Sequence, residues 1–188
     1  MKLSLLPKNH TENLNISFSI DNLQSQEQDI SFCLAESTLQ FLLSLNGLNQ
    51  VHIKYIFSDF MERLSIYISE KTSNIGSYDD EEMINNEILR LTAFLEHIHE
   101  LLETLFEQLK NIMQFFIDLG NSEVINTIQK AEINLIKLKN RINQLYNSDD
   151  IDEISYIATD ISDSITTIIH HFNELKKLKR YDSPNTLS

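Results

Sequence analysis

Glycine and proline are almost missing: three glycines and two prolines in 188 residues. Tight turns, bulges and phosphate-cradling loops depend on glycine, so the shortage points to long uninterrupted helices with few connections. Cysteine occurs once, as Cys33 in the apolar run Phe32-Cys33-Leu34. A disulfide framework within the chain is therefore impossible, and a lone buried thiol is the expectation. Positive charge is also scarce, with 15 Lys and Arg against 28 Asp and Glu, a net −13. Such a chain repels phosphate backbones and anionic membrane surfaces, which argues against general nucleic-acid binding, keeps the protein soluble and suits a basic partner. No apolar run is long enough for a membrane span. The start, MKLSLLPKNHTEN, lacks the long apolar core of a signal peptide, so the glycosylation-like triplets Asn9-His10-Thr11 and Asn15-Ile16-Ser17 read as chance matches. The expected location is a reducing cytoplasm, reached by synthesis there or by delivery into a host cell.

What is present is helical periodicity in a length suited to one domain. Residues 1–28 are polar and end in Gln24-Ser25-Gln26-Glu27-Gln28; they read as a mostly flexible segment. Within it Leu14, Ile16, Phe18 and Ile20 alternate like a strand, to dock on the helices or add to a partner's sheet. From about residue 29 the apolar period changes to that of a helix. A first helix carries Ile30, Leu34, Phe41 and Leu45, with Gly47 as its stop. A second reaches about Glu70 through Ile53, Phe57, Phe60, Leu64 and Tyr67, and Thr72-Ser73-Asn74-Ile75-Gly76-Ser77 is the expected loop after it.

The third helix has the strongest signal. From Ile84 through Ile88, Leu91, Leu95, Ile98 and Leu102 to Leu119, apolar residues alternate steps of four and three. This heptad seam of about five repeats implies a rod on the order of 60 Å. Gly120-Asn121-Ser122 ends it, with Ser122 expected to cap the fourth helix, whose seam runs from Val124 to Leu145. After the turn at 147–150, a fifth seam runs from Ile151 to Leu175. The prediction is an all-α fold: an antiparallel bundle of four to five helices over 29–180, with coiled-coil-like seams, a long third helix and a shorter first helix packed across the others. A frayed tail covers 181–188. The acidic clusters Asp79-Asp80-Glu81-Glu82 and Asp149-Asp150 open helices, and Lys176-Lys177-Lys179-Arg180 closes one, as the helix macrodipole favours.

The seam of the third helix has apolar flanks, Phe94, Leu101, Phe106, Met113 and Phe115, and the fifth has Tyr156, Ile157 and Ile169. A two-stranded coil would not use them. They belong either to a larger bundle or to a partner-binding surface, and Phe94, Leu101, Phe106, Met113 and Phe115 are the candidate partner-binding residues.

Candidate chemistry concentrates in FLEHIHELLETL, residues 94–105. Glu96 and His99 make the Glu-x-x-His step of carboxylate-bridged di-iron bundles, and with Glu103 they are the alternative metal set. His99-Glu100 followed by Glu103 is a cousin of the zinc signature His-Glu-x-x-His, with Glu103 where the second histidine belongs. With Leu95 and Leu102 at heptad position a, Glu96 and Glu103 fall at b, His97 at c, His99 at e and Glu100 at f. Positions b, c and f face away from the seam. No second Glu-x-x-His exists in the chain, and no metal or cofactor is expected.

Arg90 and His97, both at c and separated by six residues, have a spacing that resembles the HEPN family. That family comprises all-α proteins, many of them dimeric metal-independent RNases. The resemblance implies Arg90 and His97 as the active pair of a dimer-interface site. The residue after the arginine is Leu91, where active members commonly carry a polar one. Composition also resembles other proteins: the small acidic helical body looks like type III secretion chaperones, and the polar N-terminus looks like the export signals of secreted effectors. The wealth of isoleucine and asparagine suggests an AT-rich, bacterial genome. With no nucleophile elbow, Gly-rich phosphate loop or Cys-His arrangement, the expected function is non-catalytic. It is a bundle acting through protein–protein contact or self-association, as adaptor, regulator, inhibitor or delivered effector. The alternatives are a secretion-associated chaperone and a HEPN-like RNase or its inactive relative.

Overall fold

The computed structural model describes residues 23–45, 56–148 and 150–181. They form five helices: α1 (Ser25–Leu45), α2 (Ser58–Ser77), α3 (Glu81–Asp118), α4 (Ser122–Asn147) and α5 (Ile151–Tyr181). No strand occurs among the described residues, and none of these helices is long and apolar enough to cross a membrane. The strand-like stretch 14–20, the Gly47 stop and the tail beyond Tyr181 lie outside the described residues. Helix α1 begins at Ser25, inside the segment expected to be a polar tail.

Three residues separate each helix from the next between α2 and α5, at 78–80, 119–121 and 148–150. Links this short force antiparallel neighbours. Helix α2 also packs on α5, which closes α2, α3, α4 and α5 into a four-helix ring, while α1 packs against α2 and α3. Helix α1 lies lengthwise, not across. Glu27 near its start meets Arg90 of α3, and Leu45 at its end meets Lys179 of α5.

Side-chain caps fix the helix starts. Asp80 Oδ1 accepts from the Glu82 N–H at 2.9 Å, and Asp150 Oδ1 accepts from the Asp152 N–H at 2.9 Å. The α4 cap is Asn121, one residue before the expected Ser122; its Oδ1 accepts from the Glu123 and Val124 N–H groups, each at 3.1 Å. Asn121 also closes α3. Its N–H donates to Phe116 O at 3.0 Å and that of Gly120 donates to Ile117 O at 2.9 Å, with Gly120 left-handed at φ 71°. This Schellman arrangement needs a residue without a Cβ penalty. Gly120→Ala is expected to lower stability by about 1–2 kcal/mol in a thermal melt. Because a new Cβ there meets nothing within 4 Å, the whole loss is backbone strain.

The expected loop at 72–77 is a correction. Helix α2 continues through Ser77, because Ile75 is fully buried and anchors the extra turn. The polar residues around it suggested a loop but lie on the wet face. Gly76 is therefore helical, and an alanine Cβ would sit at ordinary contact, 3.7 Å from Ile151 Cγ2. Gly76→Ala is expected to raise stability by about 0.4–1 kcal/mol by restricting the unfolded chain. A lower urea midpoint for this variant would contradict the helical assignment.

The heptad seams form one continuous core. Helix α3 contributes more than its seam, since it has α2 on one side and α4 on the other. Both flanks of its stripe are consequently drawn inside.

Candidate functional site

Arg90 and His97 share a face of α3, as the register requires, but that face is not free. Helix α1 lies over it and brings in Glu27, a carboxylate that is only 2% exposed. Gln24-Ser25-Gln26-Glu27 is the start of α1, and Glu27 Oε2 turns back to accept the Gln24 N–H at 2.8 Å, the return half of a capping box. Its other oxygen accepts the Tyr67 hydroxyl at 2.6 Å and Arg90 Nε at 3.0 Å. One carboxylate thus joins α1, α2 and α3. Burial alone would raise the Glu27 pKa, but the bonds from Tyr67, Arg90 and the Gln24 N–H outweigh it and hold the carboxyl below its ordinary value. Burial and Glu27 both push the Tyr67 phenol up.

His97 is half-buried, not solvated, and its Nε2 is enclosed without a hydrogen-bond partner among the described residues. Burial lowers its pKa from 6.5 against the weaker pull of Glu100 and Glu27, so the imidazole is neutral at neutral pH. The pair that the HEPN resemblance implies is therefore present on one face, with its arginine neutralised by Glu27 and its histidine ring turned inward. Sequence reasoning missed Glu27. The box spacing from Gln24 to Glu27 was its only signal, and glutamine in place of serine or threonine blunted it.

The second candidate set disperses. Glu96 and Glu103 are exposed, whereas His99 is buried with Nε2 3.1 Å from Leu135 O of α4. A carbonyl only accepts, so this nitrogen carries the proton and is closed to metal ligation. Glu103 Oε1 stands 3.7 Å from the same nitrogen. Among the described residues, no three His, Cys, Asp or Glu side chains are grouped to hold a metal.

These residues instead border an open cleft between α3 and α4. One part, about 530 Å³, has Phe106, Leu135 and Ile136 along its floor and Glu100, Glu103, Glu107 and Glu132 around it. An adjoining part of about 250 Å³ shares Glu100 and Glu103 and adds Glu96, Ile142 and Lys139. Of the three floor residues Ile136 is 58% exposed, whereas Phe106 and Leu135 are each 3% exposed.

Of the five candidate partner-binding residues, three belong to the core of this chain. Phe94 meets the edge of the Tyr67 ring, with centroids 4.8 Å apart, Phe106 stacks on Phe172 of α5 at 6.2 Å, and Met113 is fully buried. Leu101 is half-buried against the same core, and only Phe115, 66% exposed, is a surface residue. On α5, Ile157 and Ile169 are core and Tyr156 is exposed. The correction follows from helix number: a helix with neighbours on both sides uses both flanks of its stripe.

Other reactive groups among the described residues are also engaged. Cys33 is half-buried and donates its Sγ–H to Asp59 Oδ2 at 3.2 Å; burial, with Asp59 beside it, pushes the thiol up to about 11. His170 and His171 both contact Glu174, at 3.3 and 3.1 Å. The basic cluster serves a different helix end from the one expected. Lys179 Nζ donates to Leu45 O at 3.1 Å, and the fully buried Lys176 bonds Ser44 Oγ, placing cations at the C-terminus of α1 rather than only at that of α5. The chain matches no protein-family model, and no curated protein or solved structure proved significantly similar to it.

Proposed function

We propose that this chain is a non-catalytic helical-bundle protein that acts by holding another protein, as an adaptor, regulator, inhibitor or delivered effector. The observation that carries this reading is the open α3–α4 cleft, which combines an apolar floor with an exposed isoleucine. The groups most suited to chemistry support it from the other side. Arg90, His99 and His171 each hold a neighbouring residue in contacts that stabilise the fold. The net charge of −13 favours a protein over a nucleic-acid partner. A bacterial cytoplasm, or a host cell for a delivered effector, is the setting we infer.

The test is capture from the native host with wild type and Ile136→Asp side by side. Ile136 is exposed, so the substitution leaves the helical signal unchanged. A specific protein held by wild type and released by the variant is the expected result. Equal capture by both would remove the cleft from the function. RNA cleavage by wild type that disappears in His97→Ala would replace this reading with the nuclease.

A further inference from the structure

We infer that the α3–α4 cleft takes a lysine- or arginine-rich amphipathic helix supplied by a second protein; this rests on the partner-binding reading above. On α3, Glu96, Glu100, Glu103 and Glu107 succeed one another at steps of four, three and four. That spacing places them in one stripe along the helix, extending about 16 Å at about 1.5 Å per residue. All four are exposed, and Glu132 of α4 faces them from the opposite wall.

Among the described residues little neutralises this stripe. Lys110 pairs with Glu107 at 3.0 Å, and Lys139 lines the narrower part of the cleft. Glu96, Glu100 and Glu132 make no salt bridge among the described residues. Like charges at one-turn spacing destabilise a helix by a few tenths of a kcal/mol per pair, so the stripe does not arise from helix stability. Beneath it the floor is apolar, formed by Phe106, Leu135 and Ile136, with Ile136 the exposed one of the three. A row of carboxylates beside an apolar trough complements a helix with a cationic stripe flanking an apolar one.

The occupant comes from outside the chain. Residues 1–22, 46–55 and 182–188 contain only Lys2, Lys8 and Lys54 as lysines or arginines, too few and too scattered for a cationic stripe. Much of the basic cluster of α5 is already engaged, with Lys176 and Lys179 bonded to the end of α1.

The experiment titrates the full chain with three labelled peptides of about 16 residues, long enough to cover the stripe as a helix. The first is a lysine–leucine amphipathic helix, the second is its scramble without an apolar face, and the third replaces each lysine with glutamate. The first is expected to bind with a Kd on the order of 10 μM, more weakly as salt rises. The scramble binds at least about tenfold more weakly, and the acidic peptide does not bind. Glu100→Lys with Glu103→Lys, and separately Ile136→Asp, each weaken the first peptide at least about tenfold while the helical signal is kept.

Equal affinity for the first peptide and its scramble, or equal affinity of wild type and the charge-reversed variant, overturns the inference. If the first peptide does not bind but Ile136→Asp still releases a captured partner, this inference falls and the partner-binding reading stands. If Ile136→Asp releases nothing, the cleft has no part in the function and this inference falls.

Discussion

Phe94→Ala is expected to lower the unfolding free energy by about 3–5 kcal/mol, while Phe115→Ala, on the same helix, changes it by no more than about 0.5 kcal/mol. Both residues flank the α3 seam, and sequence alone gives no reason to separate them. Phe94 is 1% exposed and abuts the Tyr67 ring; Phe115 is 66% exposed near the end of α3 and meets only the ring of Phe116 among its aromatic neighbours. Removing the first leaves a cavity bounded by α2 and α3 that rigid, close-packed helices cannot fill. Removing the second returns apolar surface from water and costs little. Urea titration followed by circular dichroism reads the difference as a shift in midpoint at constant slope. A loss below about 1 kcal/mol for Phe94→Ala would place that ring outside the core.

Glu27→Ala is expected to cost about 2–4 kcal/mol, a large effect for a residue near the start of a helix. The substitution leaves the Tyr67 hydroxyl without its acceptor inside the core and removes the return cap on the Gln24 N–H. It also leaves Arg90 unpaired, but that side chain is 33% exposed and recovers water, so its share is the smaller one. A double-mutant cycle with Tyr67→Phe isolates the pair. The coupling expected is about 1–2 kcal/mol, and strict additivity would mean that the hydroxyl and carboxylate do not act together.

The same carboxylate predicts the direction of an acid effect. Its folded pKa lies below the ordinary 4.5, so the unfolded chain takes up the proton first. The stabilisation is fully present above about pH 4.5 and is lost as pH falls through the folded value. The stability gap between wild type and Glu27→Gln should therefore narrow with acidification, and a gap unchanged down to about pH 3 would show that Glu27 is not held as the anion.

The helices were legible because their signals are local. Ile88, Leu91, Leu95 and Ile98 fall on one stripe whatever surrounds them, and Gly120 and Asp80 mark ends through backbone geometry and a side chain within reach. The departures on α3 are of one kind. In sequence Phe94, Phe106 and Met113 are open to two readings and the register turns His97 away from the seam, because a heptad register describes a helix against its nearest partners only. Burial at the flanks and at position c depends on how many helices gather around α3 and where α1 lies. Those are contacts between residues far apart in the chain, such as Glu27 with Arg90, and no period within either helix encodes them.

The candidate site divides the same way. The sequence places Glu96, Glu100 and Glu103 away from the α3 seam, but the residues that give them a floor, Leu135 and Ile136, come from α4. By itself the sequence determined that this protein is built of long helices, roughly where most of them begin and end, and that its charge is acidic, since each follows from backbone preference or simple composition. The tertiary structure alone decided which apolar flanks become core, which reactive side chains become structural ties, and where an open cleft remains. Those outcomes depend on which helices lie side by side, and burial exists only once they do.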